Sequence, residues 1–428
     1  MAGVDELEQQ SSEGAGRREG VWVVAVIFAT ALLLLARAPF AVSKFWAEDG
    51  TVFFQGARQE GAFGAFGVDW AGYYHLVPRI AGAFSSSVPI DLAPLANWLI
   101  IAVVVAWCAA TLFVASKTWI ASMPARLVLT AGIVLLPVVR VESIGNVANL
   151  HFIMLFPALL VMICRPQSRS EWVNGSLFVL VSTLSTLETA VFFPFAAYRV
   201  WTRKPRGLDP ITIVWALGSA VHFGVVLVAE PERAISTSTS LPSIVFNYGK
   251  RVVFDNFSPV YRLSGVIGTV LVVALSFVIV RAVMVSWSKH REIAFLLVAV
   301  PAVGALLWVV LGERLGGTTP RYAVFPAMCL TWSLFVATET LARRFDADHR
   351  SRRWGAVTLV PALVLVAWLP HWAPPAYRGD GPTWRETLSA AEDQCRAEGG
   401  EFVTVQVPPS TADQDLWPVQ LECADLLP

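Results

Sequence analysis

Charge is scarce in this chain: only 15% of its 428 residues are Asp, Glu, Lys or Arg, against 55% hydrophobic ones, too little polar surface to wrap a soluble core of that size. The solvent for most of it is therefore lipid. Basic residues do not outnumber acidic ones, at 32 of each, so no excess of positive charge marks a nucleic-acid partner. Metal-ligand spacing, a glycine-rich phosphate loop and a GxSxG elbow are all missing, which removes the usual metalloenzyme, nucleotide-binding and serine-hydrolase readings. Cysteine is rare as well. Three of the five, Cys108, Cys164 and Cys329, fall inside apolar runs as small core residues, leaving Cys395 and Cys423 in a polar tail. No small-residue cleavage site follows the first apolar run, from Val21 to Ala36, so that run reads as a retained helix and not a signal peptide.

What the chain does have is long apolar runs. They span a hydrocarbon layer of about 30 Å near residues 21–40, 94–115, 211–229, 264–285, 293–311, 321–341 and 354–372, with shorter ones near 126–139 and 150–164. The stretch 174–200 has arginines on both flanks: Arg165 and Arg169 before it, Arg199, Arg203 and Arg206 after it. Both flanks want the cytoplasm, so the stretch predicts a hairpin of two short helices with Glu188 near its outer tip. The expected fold is thus an all-α polytopic membrane protein of about 11 transmembrane helices. Other basic clusters (Arg17 and Arg18, Lys117 and Arg126, Lys289 and Arg291, Arg343 to Arg353) fall on the same side. That places the amino terminus in the cytoplasm and the carboxyl terminus outside, in the inner (plasma) membrane.

Three parts follow: a cytoplasmic tail at 1–20, a membrane domain at 21–372 with an outer loop at 42–91, and a small extracytoplasmic tail at 373–428. In the outer loop six glycines from Gly50 to Gly72 interrupt a run of Phe, Trp and Tyr, the mixture expected of short helices lying along the membrane surface. In the tail, Thr383 and Glu386 form a capping box that opens a helix, Gly399 and Gly400 close it, and the alternating valines 403, 405 and 407 and Val419-Gln420-Leu421 read as two strands. A Cys395–Cys423 disulfide would join the helix to the last strand in an oxidising compartment; two unpaired thiols are the other reading.

Polar residues among so much apolar sequence mark the candidate site. Phe45-Trp46-Ala47-Glu48-Asp49-Gly50 puts two carboxylates at the interface, each suited to act as a general base or as a plain helix cap. Thr318-Thr319-Pro320-Arg321-Tyr322 sets an arginine at the outer mouth of a late helix, with Arg314 seven residues earlier. A guanidinium there either binds phosphate oxygens as a fork or snorkels as an anchor. Arg140 to His151 is dense in polar groups, among them Glu142, Asn149 and His151, which line a cavity or cap a helix. His75, Arg79 and Glu188 are weaker candidates of the same kind.

In their order and sidedness, Glu48 and Asp49 in the first outer loop, the Leu184–Tyr198 hairpin, and Arg321-Tyr322 followed by Pro326 resemble the GT-C class of membrane glycosyltransferases. The resemblance is architectural and covers most of the chain, which is short for the class. It implies a sugar taken from a polyprenyl-phosphate donor and passed to a hydroxyl of a glycan, lipid or protein acceptor beside the lipid bilayer. It implies Asp49 as catalytic base with Glu48 as neighbour or substitute, and Arg321 on the carrier phosphate. No cofactor is required by any residue cluster, and a divalent cation is compatible with the chemistry. The rival readings are a transporter or flippase of lipid-linked glycans, for which no inverted repeat is visible, and a polysaccharide polymerase or ligase.

Overall fold

The computed structural model describes residues 2–67, 70, 72, 74–202, 208–228, 241–257, 264–314, 320–343, 350–373, 377, 379–409 and 417–427. Five helices in it are long and apolar enough to cross a membrane: Glu19–Arg37, Ile90–Ser116, Pro210–Val228, Arg291–Leu311 and Pro320–Ala342. Four shorter apolar helices, Met123–Leu135, Leu150–Ile163, Val273–Ser286 and Val357–His371, complete the bundle together with two hairpin arms, Arg169–Ser185 and Phe193–Thr202. Among the described residues the chain therefore makes eleven passes. The first helix begins at Ala2 and runs unbroken to Arg37, so the segment expected as a separate amino-terminal tail is helical and continuous with the first span.

Contacts between distant residues assign each helix end to one of two faces. On the first face Lys117 pairs with Glu19 and Glu171 at 2.9 and 2.7 Å, Arg165 with Glu292 at 2.5 Å, and Glu339 accepts from the backbone N–H groups of Ala121 and Ser122. The hairpin starts and ends here. Arg199, at its return end, donates to the carbonyls of Val161, Met162 and Cys164, the open carboxyl end of the Leu150–Ile163 helix, and pairs with Asp209 at 2.6 Å. On the second face Arg37 donates to the carbonyls of His371 and Trp372. The end of the first pass and the end of the last thus meet, as an odd number of passes requires.

The Leu150–Ile163 helix is apolar on every side and buried along its whole length, which makes it the centre of the bundle. At 14 residues it is about 21 Å long, too short to span the layer alone. The turn before it fills the remaining depth and carries polar groups. Gly145 makes that turn possible: its φ is +68°, and a Cβ there would lie 2.9 Å from that of Ala41.

The tail module is a helix, Trp384–Glu398, opened by the Thr383–Glu386 capping box and stopped at Gly399, beside the antiparallel strands Phe402–Gln406 and Pro418–Glu422. Cys395 and Cys423 are joined in a disulfide. The alternating inward valines and Leu421 form one apolar cluster with Phe45, Phe54 and Trp384. This places the module directly on the outer loop. Trp384 N–H donates to the Ser43 carbonyl at 2.8 Å, Ala47 N–H to the Pro408 carbonyl at 2.6 Å, and Arg58 pairs with Asp425.

Candidate active site

Beyond the first helix, which ends at Arg37, the chain turns beneath the tail module between Trp46 and Gln55 and starts a new helix. Ala47 takes up the bend at φ +49°, a left-handed conformation unusual for alanine, and Asp49–Phe54 then winds as a π-helical turn. Successive residues of a helical turn project about 100° apart, so only one of the two neighbouring carboxylates can face any given cavity. That residue is Glu48.

Glu48 lines a cavity of about 470 Å³, open mouth included, together with Phe53, Trp70, His75, Ala148, Asn149, His151, Phe152, Glu188, Arg321 and Tyr322. Asp49 is turned away and 1% exposed. Its carboxylate accepts from Asn97 Nδ2 at 3.0 Å, from Val147 N–H at 2.9 Å and from Ala148 N–H at 3.0 Å. Three donors and the surrounding protein thus enclose Asp49, the residue expected as catalytic base. Burial pushes its carboxyl up from 3.8 to about 7, against the three hydrogen bonds, which act to lower it.

Arg321 stands on the short Pro320–Ala323 turn that opens the Val324–Ala342 helix. Its Nη1 donates to Glu142 Oε2 at 2.9 Å, and the guanidinium lies 5.4 Å from the Tyr322 ring centre. Glu142 therefore touches the cavity through Arg321. One of five N–H donors is taken by this pair, and a fork of such donors suits phosphate oxygens.

The two histidines meet across the cavity, ring centres 5.9 Å apart. His75 sits at φ +52° just before the Leu76–Ser86 helix, the second left-handed non-glycine residue in the described chain. His151 Nδ1 is 2.8 Å from the Ala148 carbonyl. A carbonyl only accepts, so Nδ1 carries the proton. Asn149 occupies the position before the Leu150–Ile163 helix without capping it by its side chain; its N–H is taken by Asn146 Oδ1 and its Nδ2 donates to the Glu142 carbonyl. Glu188 arrives from the hairpin tip, where Thr186 donates to it.

Arg79 is not part of this wall. It is 2% exposed and packs over the Phe53 ring at 5.3 Å, on the buried side of its helix. The side chain of Arg314 lies outside the described residues. Four participants went unread in the sequence. Asn97 begins a long apolar helix and looks like an ordinary interfacial polar residue; Phe53, Trp70 and Phe152 look like core or anchor residues. Only the folded arrangement distinguishes them.

Among the described residues no group of three or more His, Cys, Asp or Glu is placed to hold a metal ion. The fold and the site together define a multi-pass helical membrane protein whose first outer loop, mid-chain hairpin and late helix deliver acids, imidazoles and an arginine to one cavity. No family model matches the chain, nor does any curated protein. The structure is similar to the crystal structure of ArnT from Cupriavidus metallidurans bound to undecaprenyl phosphate, with a TM-score of 0.43 and 12% identity over 87% of this chain and 79% of that one. So distant a likeness leaves function to be argued from the cavity.

Proposed function

We propose that this protein is a membrane glycosyltransferase of the GT-C kind, moving a sugar from a polyprenyl-phosphate carrier to a hydroxyl acceptor on the face that bears the tail module, in cell-envelope glycan or glycolipid synthesis. The observation that carries the reading is the presence of the Glu48 carboxylate and the Arg321 guanidinium in the wall of one cavity. Transfer from such a donor needs two services. The acceptor O–H must give up its proton as its oxygen bonds to the anomeric carbon, and the electron pair of the breaking carbon–oxygen bond must come to rest on the phosphate. Glu48 takes the proton; Arg321, held by Glu142, faces the phosphate charge. His75, His151, Asn149 and Glu188 supply hydrogen bonds suited to sugar hydroxyls, and Trp70, Phe53, Phe152 and Tyr322 supply faces against which a sugar ring packs. The scheme routes no step through a metal ion.

The test is incubation of the purified protein with a panel of polyprenyl-phosphate sugars. Consumption of one donor by the wild type, lost in Glu48→Gln while the donor still binds, supports the reading. Binding without consumption of any donor, or translocation of a lipid-linked glycan in vesicles, would replace it with the transporter.

A further inference from the structure

Asp49 is too enclosed to touch a substrate, yet what it holds is part of the cavity wall. Its two carboxylate oxygens grip successive backbone N–H groups, Val147 and Ala148. The carbonyl of that same Ala148 accepts the Nδ1 proton of His151. A continuous line of hydrogen bonds therefore runs from the residue beside Glu48 to an imidazole in the opposite wall. We infer that Asp49 is a positioning residue: it fixes the Val147–Ala148 segment so that the Ala148 carbonyl selects the His151 tautomer with Nδ1 protonated, turning Nε2 into a hydrogen-bond acceptor for a substrate hydroxyl.

The physical argument has three steps. An imidazole in the neutral form has one donor and one acceptor nitrogen, and the partner of one decides the role of the other. With the proton held on Nδ1, the Nε2 lone pair is the one left to accept from a hydroxyl or to react with an electrophile. Finally, the carbonyl can do this only if its peptide is held, and Gly145, at φ +68° just upstream, gives the turn no stiffness of its own. Asn97, which donates to the same Asp49 oxygen as Val147, completes the brace from the Ala93–Ser116 helix. The charged and titratable groups sharing the cavity with His151 are Glu48, His75, Glu188, Arg321 and Tyr322; none lies on the brace.

The inference deepens the reading above, and its first readout needs no turnover. In the purified full-length protein, modification of His151 by diethyl pyrocarbonate, which needs a nitrogen lone pair, is followed at the peptide by mass spectrometry at about pH 8, above the usual imidazole range. In Asp49→Asn the rate should fall by about tenfold, as the tautomer that offers Nε2 loses its hold. Asn97→Ala keeps the Asp49 charge and removes one donor of the brace, and should slow the reaction in the same direction by a smaller factor. His290, exposed and outside the cavity, serves as internal reference, and its reaction should be the same in every variant.

Where a donor has been found, Asp49→Asn should lower kcat with little change in the KM for donor. Glu48→Gln should lower turnover by about a hundredfold or more and leave the rate of His151 modification at that pH unchanged. A wild-type rate of His151 modification in folded Asp49→Asn overturns the inference. Should that variant not fold, an unchanged rate in Asn97→Ala overturns it. Failure to find a donor removes the glycosyltransferase reading alone.

Discussion

The two faces of the bundle use similar residues for different ends. On the first, Lys117, Arg126, Arg165 and Arg199 are matched to Glu19, Glu171, Glu292, Asp209 and the open carboxyl ends of helices. Each charge there is tied to a neighbouring helix by an ion pair or a carbonyl. On the second, Glu48, Glu188 and Arg321 come from three separated parts of the chain and face a common cavity. Charge placed to satisfy helix ends holds topology, whereas charge assembled across the sequence around empty space is organised for a ligand. Substitutions on the first face should therefore cost stability, and on the second activity.

The largest effect expected is on the first face. Arg199→Leu strips the Val161, Met162 and Cys164 carbonyls of their shared donor and half-buried Asp209 of its ion pair, and should lower stability by about 3–5 kcal/mol, read as detergent thermal unfolding, while folded molecules keep their turnover. Next comes the tail: reducing Cys395–Cys423 should cost the module about 3 kcal/mol on loop-closure reasoning, visible as a gel-mobility change and early proteolysis after residue 373. On the second face, Glu48→Gln should lower turnover by about a hundredfold or more, roughly 2.7 kcal/mol of barrier, with unfolding unchanged. Activity surviving that change would dissolve the contrast between the faces. Arg321→Lys keeps the charge and loses the fork, so it should weaken donor binding by about tenfold, less than Arg321→Ala. The remaining effect is in pH. Because Asp49 binds its proton more tightly folded, at about 7, than at its ordinary 3.8, stability should fall as pH rises from about 4 to about 7 and level off above. Asp49→Asn should flatten that slope.

The passes were legible because lipid imposes a length and a sidedness that apolar runs and arginines report directly. The hairpin is a case in point: arginines on both flanks of 174–200 imply a return, and Arg199 against Cys164 closes it. The capping box and the disulfide were legible because both are local chemistry at short spacing. The site was legible in outline, with Glu48, His75, Asn149, His151, Glu188, Arg321 and Tyr322 all in the cavity wall. Division of labour between Glu48 and Asp49 was not, since it turns on which way a π-helical turn winds after a left-handed alanine. Nor was the place of Arg79, for a related reason: its helix buries the face that carries it, as Gly82 shows, where a Cβ would fall 2.2 Å from the Phe53 carbonyl oxygen.

The seating of the tail module on Ser43, Ala47 and Gly50 has a consequence for how the protein is made. A ribosome threads the chain into the membrane from its amino end, so the turn that carries Glu48 emerges early. Its cover, Val407 just past the first strand and Val419 on the second, arrives last. Throughout synthesis Phe45 and Phe54 stand without the apolar cluster that buries them in the finished fold. Packing of the Glu48 turn therefore waits for the final segment, and a chain cut short after its eleventh pass would leave that turn uncovered.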